Sequence, residues 1–347
     1  MSTGESAATD ARREAETRAL ADARDAGIHA MALPTPFLVG RVNCYLIEDD
    51  PLTLVDTGPN SGKSLDELEQ ALGEHGRSVE EIGLIVITHQ HIDHLGLLEI
   101  LARRSGADVA AFHLLEGYLR DFGASAAADD EFSIQVMLRH GVPPELATAL
   151  GAVGAAFRAF GSSGPVSRPV RDGDALTLRD RTLRVRHRPG HSPSDTIFVD
   201  EQRRIMLAGD HLLSHISSNP LLSRPLDEAA AGAGRPHALL DYIASMRATR
   251  EMPVRIVLGG HGPPVTDHVA LIDERFRMHE RRARKVQGLL EPGPATAYDL
   301  ATRMWGNVAV TQAMLTISEV IGHLDLLIEE GSVREDADGE VTRFSVV

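Results

Sequence analysis

Three imidazoles and one carboxylate fall within six residues in His89-Gln90-His91-Ile92-Asp93-His94. The apolar run Leu84-Ile85-Val86-Ile87 that precedes them reads as a buried strand. In a turn leaving such a strand, His89 and His91 can face one side, and Asp93 and His94 the other. That is provision for two adjacent metal ions. A structural zinc takes four ligands and closes its shell, whereas a catalytic one keeps a position for water. A polar surface loop that happens to be rich in His is the bland alternative. It does not explain why further candidates, Asp56, His191, Asp210 and His261, each stand just past an apolar segment. In open α/β sheets, ligand sites collect beyond the carboxyl ends of strands, so these positions converge on one sheet edge.

The elements that must position these residues follow from periodicity. Strands are expected over 37–40, 43–47, 52–55, 84–87, 108–112, 175–178, 183–186, 196–199, 204–207 and 254–258. Ser64-Leu65-Asp66-Glu67 reads as a capping box opening a helix, and Asp93 as the cap of the next one. Residues 1–26, rich in Ala, Glu and Arg, read as a flexible, frayed or partly helical N-terminal arm. Residues 114–165 interrupt the alternation of strand and helix. Their apolar stripe of Leu146, Leu150, Val153 and Phe157 fits either an ordinary helical insertion or a lid over an apolar substrate. Residues 212–237, broken by Pro220, Pro225 and Pro236, read as a loop. After about residue 270 come a charged helix with Arg275, Arg277, Arg281, Arg282, Arg284 and Lys285, and a short helix capped by Thr296. A longer amphipathic helix from Met314 and a terminal hairpin follow, a winged-helix-like arrangement.

At 347 residues with 43 % apolar composition, the chain can bury a substantial core. Its formal net charge of -15 works against binding nucleic acid or anionic membrane. The only cysteine, Cys44, excludes an intramolecular disulfide and an all-thiolate zinc site. The N-terminus has no apolar signal region, and no run is long enough to span a bilayer, so the cytoplasm is the expected compartment.

With the complete His-x-His-x-Asp-His of residues 89–94, Asp56 in Leu54-Val55-Asp56-Thr57-Gly58, His191, Asp210 and His261 in that order, the chain resembles the metallo-β-lactamase-fold hydrolase superfamily. Within it, the chain resembles glyoxalase II-like and lactonase-like members carrying a winged-helix-like tail. The resemblance spans about residues 30–265. It implies an α+β fold, a four-layer αββα sandwich over residues 27–270, followed by a winged-helix-like module over 271–347. It also implies ligand roles: His89, His91 and His191 on one metal, Asp93, His94 and His261 on a second, and Asp210 bridging both. Asp56 would orient ligand imidazoles from behind. Asp93 and Asp210 would be the catalytic carboxylates around a metal-bridging hydroxide. Two Zn2+ per chain suit five His and two Asp, although iron and manganese tolerate the same set. His211 is left out of the ligand set, and His113, His187 and His215 read as surface or satisfied histidines.

Fold and metals do not choose a substrate. Acidity disfavours a nuclease, and the would-be recognition helix over 318–330 carries acid without Arg or Lys, the wrong sign for reading nucleic acid. The expected function is therefore hydrolysis of a small-molecule carbonyl substrate, a thioester, lactone or related ester. Alternatives are a winged-helix-tailed endoribonuclease, favoured only by the basic 275–285 helix, a persulfide dioxygenase-like enzyme, and a non-catalytic metal-binding regulator. The tail is expected to serve packing or homodimer formation, with neither nucleic acid nor membrane as a partner.

Overall fold

The computed structural model describes residues 3–227 and 234–347; residues 1 and 2 of the expected arm and 228–233 of the expected loop lie outside the described residues. Two mixed sheets form the centre. The first runs β1 (Ile28–Leu33), β2 (Val42–Ile47), β3 (Thr53–Val55), β4 (Leu84–Val86), β5 (Asp108–Phe112), β6 (Arg168–Val170), in that spatial order. Its β1–β3 pairings are antiparallel and its β3–β6 pairings parallel. The second contains β7 (Ala175–Thr177), β8 (Thr182–His187), β9 (Thr196–Asp200), β10 (Ile205–Gly209) and β11 (Ile256–Gly259), ordered β11-β10-β9-β8-β7, with only β10 and β11 parallel. A hairpin of β12 (Val333–Asp336) and β13 (Arg343–Val346) ends the chain.

The helices are α1 (Thr3–Asp25), α2 (Gly62–Glu74), α3 (Ile92–Leu95), α4 (Leu98–Ser105), α5 (Leu115–Arg120), α6 (Phe122–Arg139), α7 (Pro144–Phe157), α8 (Ala238–Arg250), α9 (His268–Leu290), α10 (Ala297–Trp305), α11 (Asn307–Thr311) and α12 (Ala313–Glu329). None among the described residues is long and apolar enough to cross a membrane.

Side-chain alternation sorts the layers. On β4, Leu84 and Val86 enter the core between the sheets with Phe198, Leu207 and Leu258, while Ile85 faces outward onto Leu68, Leu72 and Leu101 of α2 and α4. On the second sheet Ile197, Met206 and Val257 face Tyr242 and Met246 of α8 and Ile272 of α9. Helices thus cover both outer faces, and strands buried on two sides become the solid apolar runs visible in the sequence. The arrangement is the expected αββα sandwich. A further core joins the insertion to the tail: Val136, Met137, Val142 and Ala147 pack with Val286, Leu290, Leu300, Ile321, Leu324 and Phe344.

Several local expectations are corrected. Residues 37–40 are not a strand: Pro34 and Pro36 precede them, Gly40 has φ 95°, and Leu38 is 94 % exposed. Prolines without N–H cannot join a ladder. The strand in that region is instead β1. The cap of α2 is Ser61, whose side chain accepts from Ser64 N–H, not Ser64 itself. Asp93 lies inside the first turn of α3, with His91 at the cap position. The stripe on α7 splits: Leu146 and Leu150 pack against the shared core, whereas Val153 and Phe157 are exposed. The N-terminal segment forms helix α1, with Ala19 and Ala23 buried in the core between the sheets and Asp22 paired to Arg255.

One buried ion pair ties the sheets together at the end of β2. Arg181 Nε donates to Asp49 Oδ2 at 2.9 Å, and both side chains are almost fully buried. Burial alone would raise the Asp49 carboxyl, but Arg181 and two backbone N–H donors hold it below the usual range. Its contribution is therefore full above the unfolded carboxylate pKa and is lost as pH falls through the depressed folded value. Asp49→Ala leaves the Arg181 charge buried and unpaired, and is expected to cost about 3–5 kcal/mol in urea unfolding at neutral pH. A loss under about 1 kcal/mol would show that water replaces the carboxylate.

Candidate metal centre

Each predicted residue leaves a strand end on the same edge of the sandwich. Asp56 follows β3, residues 89–94 follow β4, His191 follows β8, Asp210 follows β10 and His261 follows β11. Asp56 has φ 58°, a left-handed conformation that Asp tolerates better than most residues. The sharp turn sends its carboxylate back to accept from Thr88 N–H (2.9 Å), Thr88 Oγ1 (2.8 Å) and His94 Nδ1 (2.8 Å).

The partners behind each ring fix its tautomer. His94 donates Nδ1–H to Asp56, which leaves Nε2 as its ligand atom. His261 donates Nδ1–H to the Arg41 carbonyl at 2.8 Å, and His191 donates its own to the Asn219 carbonyl at 3.1 Å. Thr88 Oγ1, whose proton goes to Asp56, accepts from His89 Nδ1 at 3.0 Å. Four Nε2 atoms therefore point inward, each a ligand atom once it carries no proton. His91 offers Nδ1, which lies 3.0 Å from His89 Nε2 and 2.9 Å from His191 Nε2. A single proton on His91 can satisfy only one of these neighbours.

On the other side Asp93 Oδ2 lies 3.3 Å from His261 Nε2. Asp210 stands between the groups: Oδ1 is 3.5 Å from His94 Nε2, and Oδ2 is 3.4 Å from His261 Nε2 and 3.6 Å from His191 Nε2. His94 Nε2, His261 Nε2 and Asp210 Oδ1 are buried without a hydrogen-bond partner. Unsatisfied buried polar atoms are costly, and a cation at their focus satisfies them together. The donor atoms of His89, His91 and His191, of His89, His94 and Asp210, and of Asp93, His94 and His261 form clusters within 4.8 Å. The residues fit a metal.

The electrostatics differ between the two halves. Burial, then the neighbouring imidazoles, push His89 well below the ordinary value, and His91 to about 3. Burial pushes His94 and His261 down too, but the surrounding carboxylates override it, raising His94 and bringing His261 to about 9. Asp210 is depressed, because His94 and His261 outweigh its burial.

All eight predicted positions meet in this one place. Sequence reasoning missed Thr88, and also Asn43, whose Nδ2 ties down the Gly259 and Gly262 carbonyls around His261 at 3.0 and 2.9 Å. His211 is fully buried and bonds Thr249 at 2.9 Å; His187 bonds the Pro193 carbonyl and stacks on Phe112. Gly260 is required by space: a Cβ there would stand 2.3 Å from Asp210 Oδ1 and 2.6 Å from His94 Cε1. Gly260→Ala is expected to weaken metal binding by about 10–100-fold, the range for displaced supporting groups, as read by competition with a chromophoric chelator. Unchanged affinity would mean the loop yields freely.

The sequence model described as "Metallo-beta-lactamase superfamily" matches residues 38–261. The chain is 32% identical over 318 residues to "Probable metallo-hydrolase YqjP" of Bacillus subtilis (strain 168), covering 92% of this chain and 97% of that one. It is 22% identical over 239 residues to "Hydroxyacylglutathione hydrolase GloC" of Haemophilus influenzae, covering 67% of this chain and 90% of the relative. Among solved structures, a metallo-beta-lactamase family protein from Thermus thermophilus superposes with a TM-score of 0.76 at 28% identity, over 92% of this chain and 99% of that one.

Proposed function

Since the chain belongs to the metallo-beta-lactamase superfamily and is a metallo-hydrolase of it, we propose that it hydrolyses a small carbonyl ester, a thioester, lactone or related bond, with two zinc ions. The observation that supports this reading is the convergence of five imidazoles and the Asp93 and Asp210 carboxylates in overlapping clusters. His89, His91 and His191 would hold one ion, Asp93, His94 and His261 the other, with Asp210 reaching both. Bound there, zinc would lower the pKa of water toward neutrality and polarise the scissile carbonyl. The chain's own groups do the rest. Asp56 and the Arg41 and Asn219 carbonyls hold the rings in one tautomer and orientation. Asp93, buried beside His261, would take a proton from the attacking water and pass it to the leaving group. That GloC is named a hydrolase of a thioester supports the substrate class.

The apolar surface near the centre supports an acyl or ring-bearing substrate. Phe37 meets Phe157 and Phe160 edge-on, with centroids 5.4 and 6.0 Å apart, and Leu38, next in the chain, is exposed. Phe37 and Leu38 belong to the loop whose Arg41 carbonyl supports His261. The Phe160 carbonyl accepts from Asn60 N–H, just beyond Asp56. Leu38→Ser and Phe157→Ala are each expected to raise KM for a long-chain acyl thioester by about 10-fold, from about 1.5 kcal/mol of lost apolar contact, with kcat little changed. Equal KM values for wild type and variants would remove this surface from substrate binding.

The tail supports the same reading against a ribonuclease. Helix α12 is buried along most of its length and presents no open face to a groove. Two of the basic groups of α9 are engaged internally, Arg275 with the Ile216 carbonyl and Arg282 with Glu319. The deciding experiment is a panel of an acyl thioester, an acyl-homoserine lactone, a β-lactam and single-stranded RNA on zinc-reconstituted protein, with and without chelator. Chelator-sensitive turnover of a carbonyl substrate is expected; cleavage of RNA alone would overturn the reading.

A further inference from the structure

A second group of metal-ligating side chains lies in the helical layer beyond Tyr242. The Tyr242 ring touches His211, next to Asp210, on one side and His279 on the other, with centroids 5.8 and 6.4 Å away. We infer that His279 of α9 with Glu319 and His323 of α12 form a separate metal site, closed to solvent, that takes zinc or a similar divalent cation and ties the two helices together.

All three residues are buried, His323 completely, and one donor atom from each lies within 4.8 Å of the others. His323 Nδ1 donates to the Glu319 carbonyl, one turn earlier, at 2.6 Å, which fixes its tautomer and leaves the lone pair on Nε2. That lone pair faces His279 Nδ1 at 3.1 Å, close to the 2.9 and 3.0 Å between imidazole nitrogens in the catalytic centre. Two nitrogens so placed share either a proton or a cation. The far Nε2 of His279 is buried without a partner under either arrangement, so the choice between them rests on the third side chain.

The surroundings are those of a ligand set. Glu319 adds a carboxylate beside the two imidazoles, and Arg282 donates to it, as outer partners orient ligating carboxylates. Two imidazoles and one carboxylate suit zinc. The three come from rigid helices, with Glu319 and His323 four residues apart on one face. Away from bulk solvent, the ion would fasten α9, which packs on the second sheet through Ile272, to α12 in the tail core, its fourth position falling to the second Glu319 oxygen or one buried water.

The test is metal stoichiometry on the full chain. Elemental analysis after gel filtration is expected to show one zinc fewer in His323→Gln than in the unaltered protein, with chelator-sensitive hydrolysis retained. In a His89→Ala/His94→Ala background, where the catalytic centre is crippled, adding zinc is expected to raise Tm, and adding His323→Gln to abolish that rise. Should His323→Gln not fold, Glu319→Gln, nearly isosteric, is expected to weaken the same zinc by at least 10-fold. Identical zinc content in the unaltered protein and both variants, with the Tm response unchanged, would overturn the proposal and leave a shared proton as the bond between His279 and His323.

Discussion

Replacing Asp210 with alanine is expected to lower kcat/KM for chelator-sensitive hydrolysis by more than about 100-fold, beyond the 10–100-fold typical of losing an outer partner of a ligand, with the circular dichroism spectrum unchanged. Its two oxygens reach both halves of the centre, Oδ1 toward His94 and Oδ2 toward His261 and His191. No other carboxylate among the described site residues spans them. The fold should tolerate the change, because the layers are held by apolar cores and the alanine lies at a loop after β10. Asp210→Asn separates shape from charge: it keeps the volume but turns one oxygen into an N–H donor, and should be nearly as inactive. Turnover within about 10-fold of the unaltered enzyme for either variant would remove Asp210 from the chemistry.

Zinc loading of the catalytic centre is expected to proceed in two stages that differ in proton release. In the metal-free chain His89 and His91 are depressed, so at about pH 7 they are already neutral and their site binds zinc with little proton release. His94 is raised and His261 is brought to about 9, so both hold protons at that pH and must give them up to a cation. The sign follows: affinity at the Asp93, His94 and His261 site falls as pH drops, about tenfold per pH unit for each proton displaced. Calorimetry in two buffers of different ionisation enthalpy should find one zinc at the centre that binds without protons and one that releases about two. A His323→Gln chain keeps the helical site out of the count. A centre that holds one zinc only, lost on changing His89 or His191 alone, would sink the two-ion mechanism.

The sequence made most ligand side chains legible because they follow strands whose two buried faces write a solid apolar run; His191 follows β8, where Leu183 and Val185 alternate with arginines. The same logic recovered the sheets and the two-faced packing. It failed where apolar residues have other duties. Phe37-Leu38-Val39 has strand composition, but the prolines before it keep it out of the ladder and leave Leu38 in solvent. Asp93 has the residue type of a cap, yet its carboxylate is needed among the ligands. The partners that fix the rings were the least legible. Arg41 and Asn219 act through carbonyl oxygens, which every residue owns, and only the fold selects them. Thr88 stood next to the motif, and its hydroxyl could have been read as the link between Asp56 and His89. The insertion and the tail were read separately because their shared core is written in two stretches more than a hundred residues apart.

That shared core also bears on how such a chain can change over generations. The carbonyls of Arg139 and His140 at the end of α6 accept from Thr342 and Tyr298 of the tail, and Met137 and Ala147 pack among Leu300, Leu324 and Phe344. Leu222, three residues past the Asn219 that steadies His191, is sunk into the same core, its N–H held by Ser318. The tail is therefore not an exchangeable cassette. A recombination junction near residue 270 would pass on half of an interior, and the heir would inherit a metal ligand whose support had been left with the other parent.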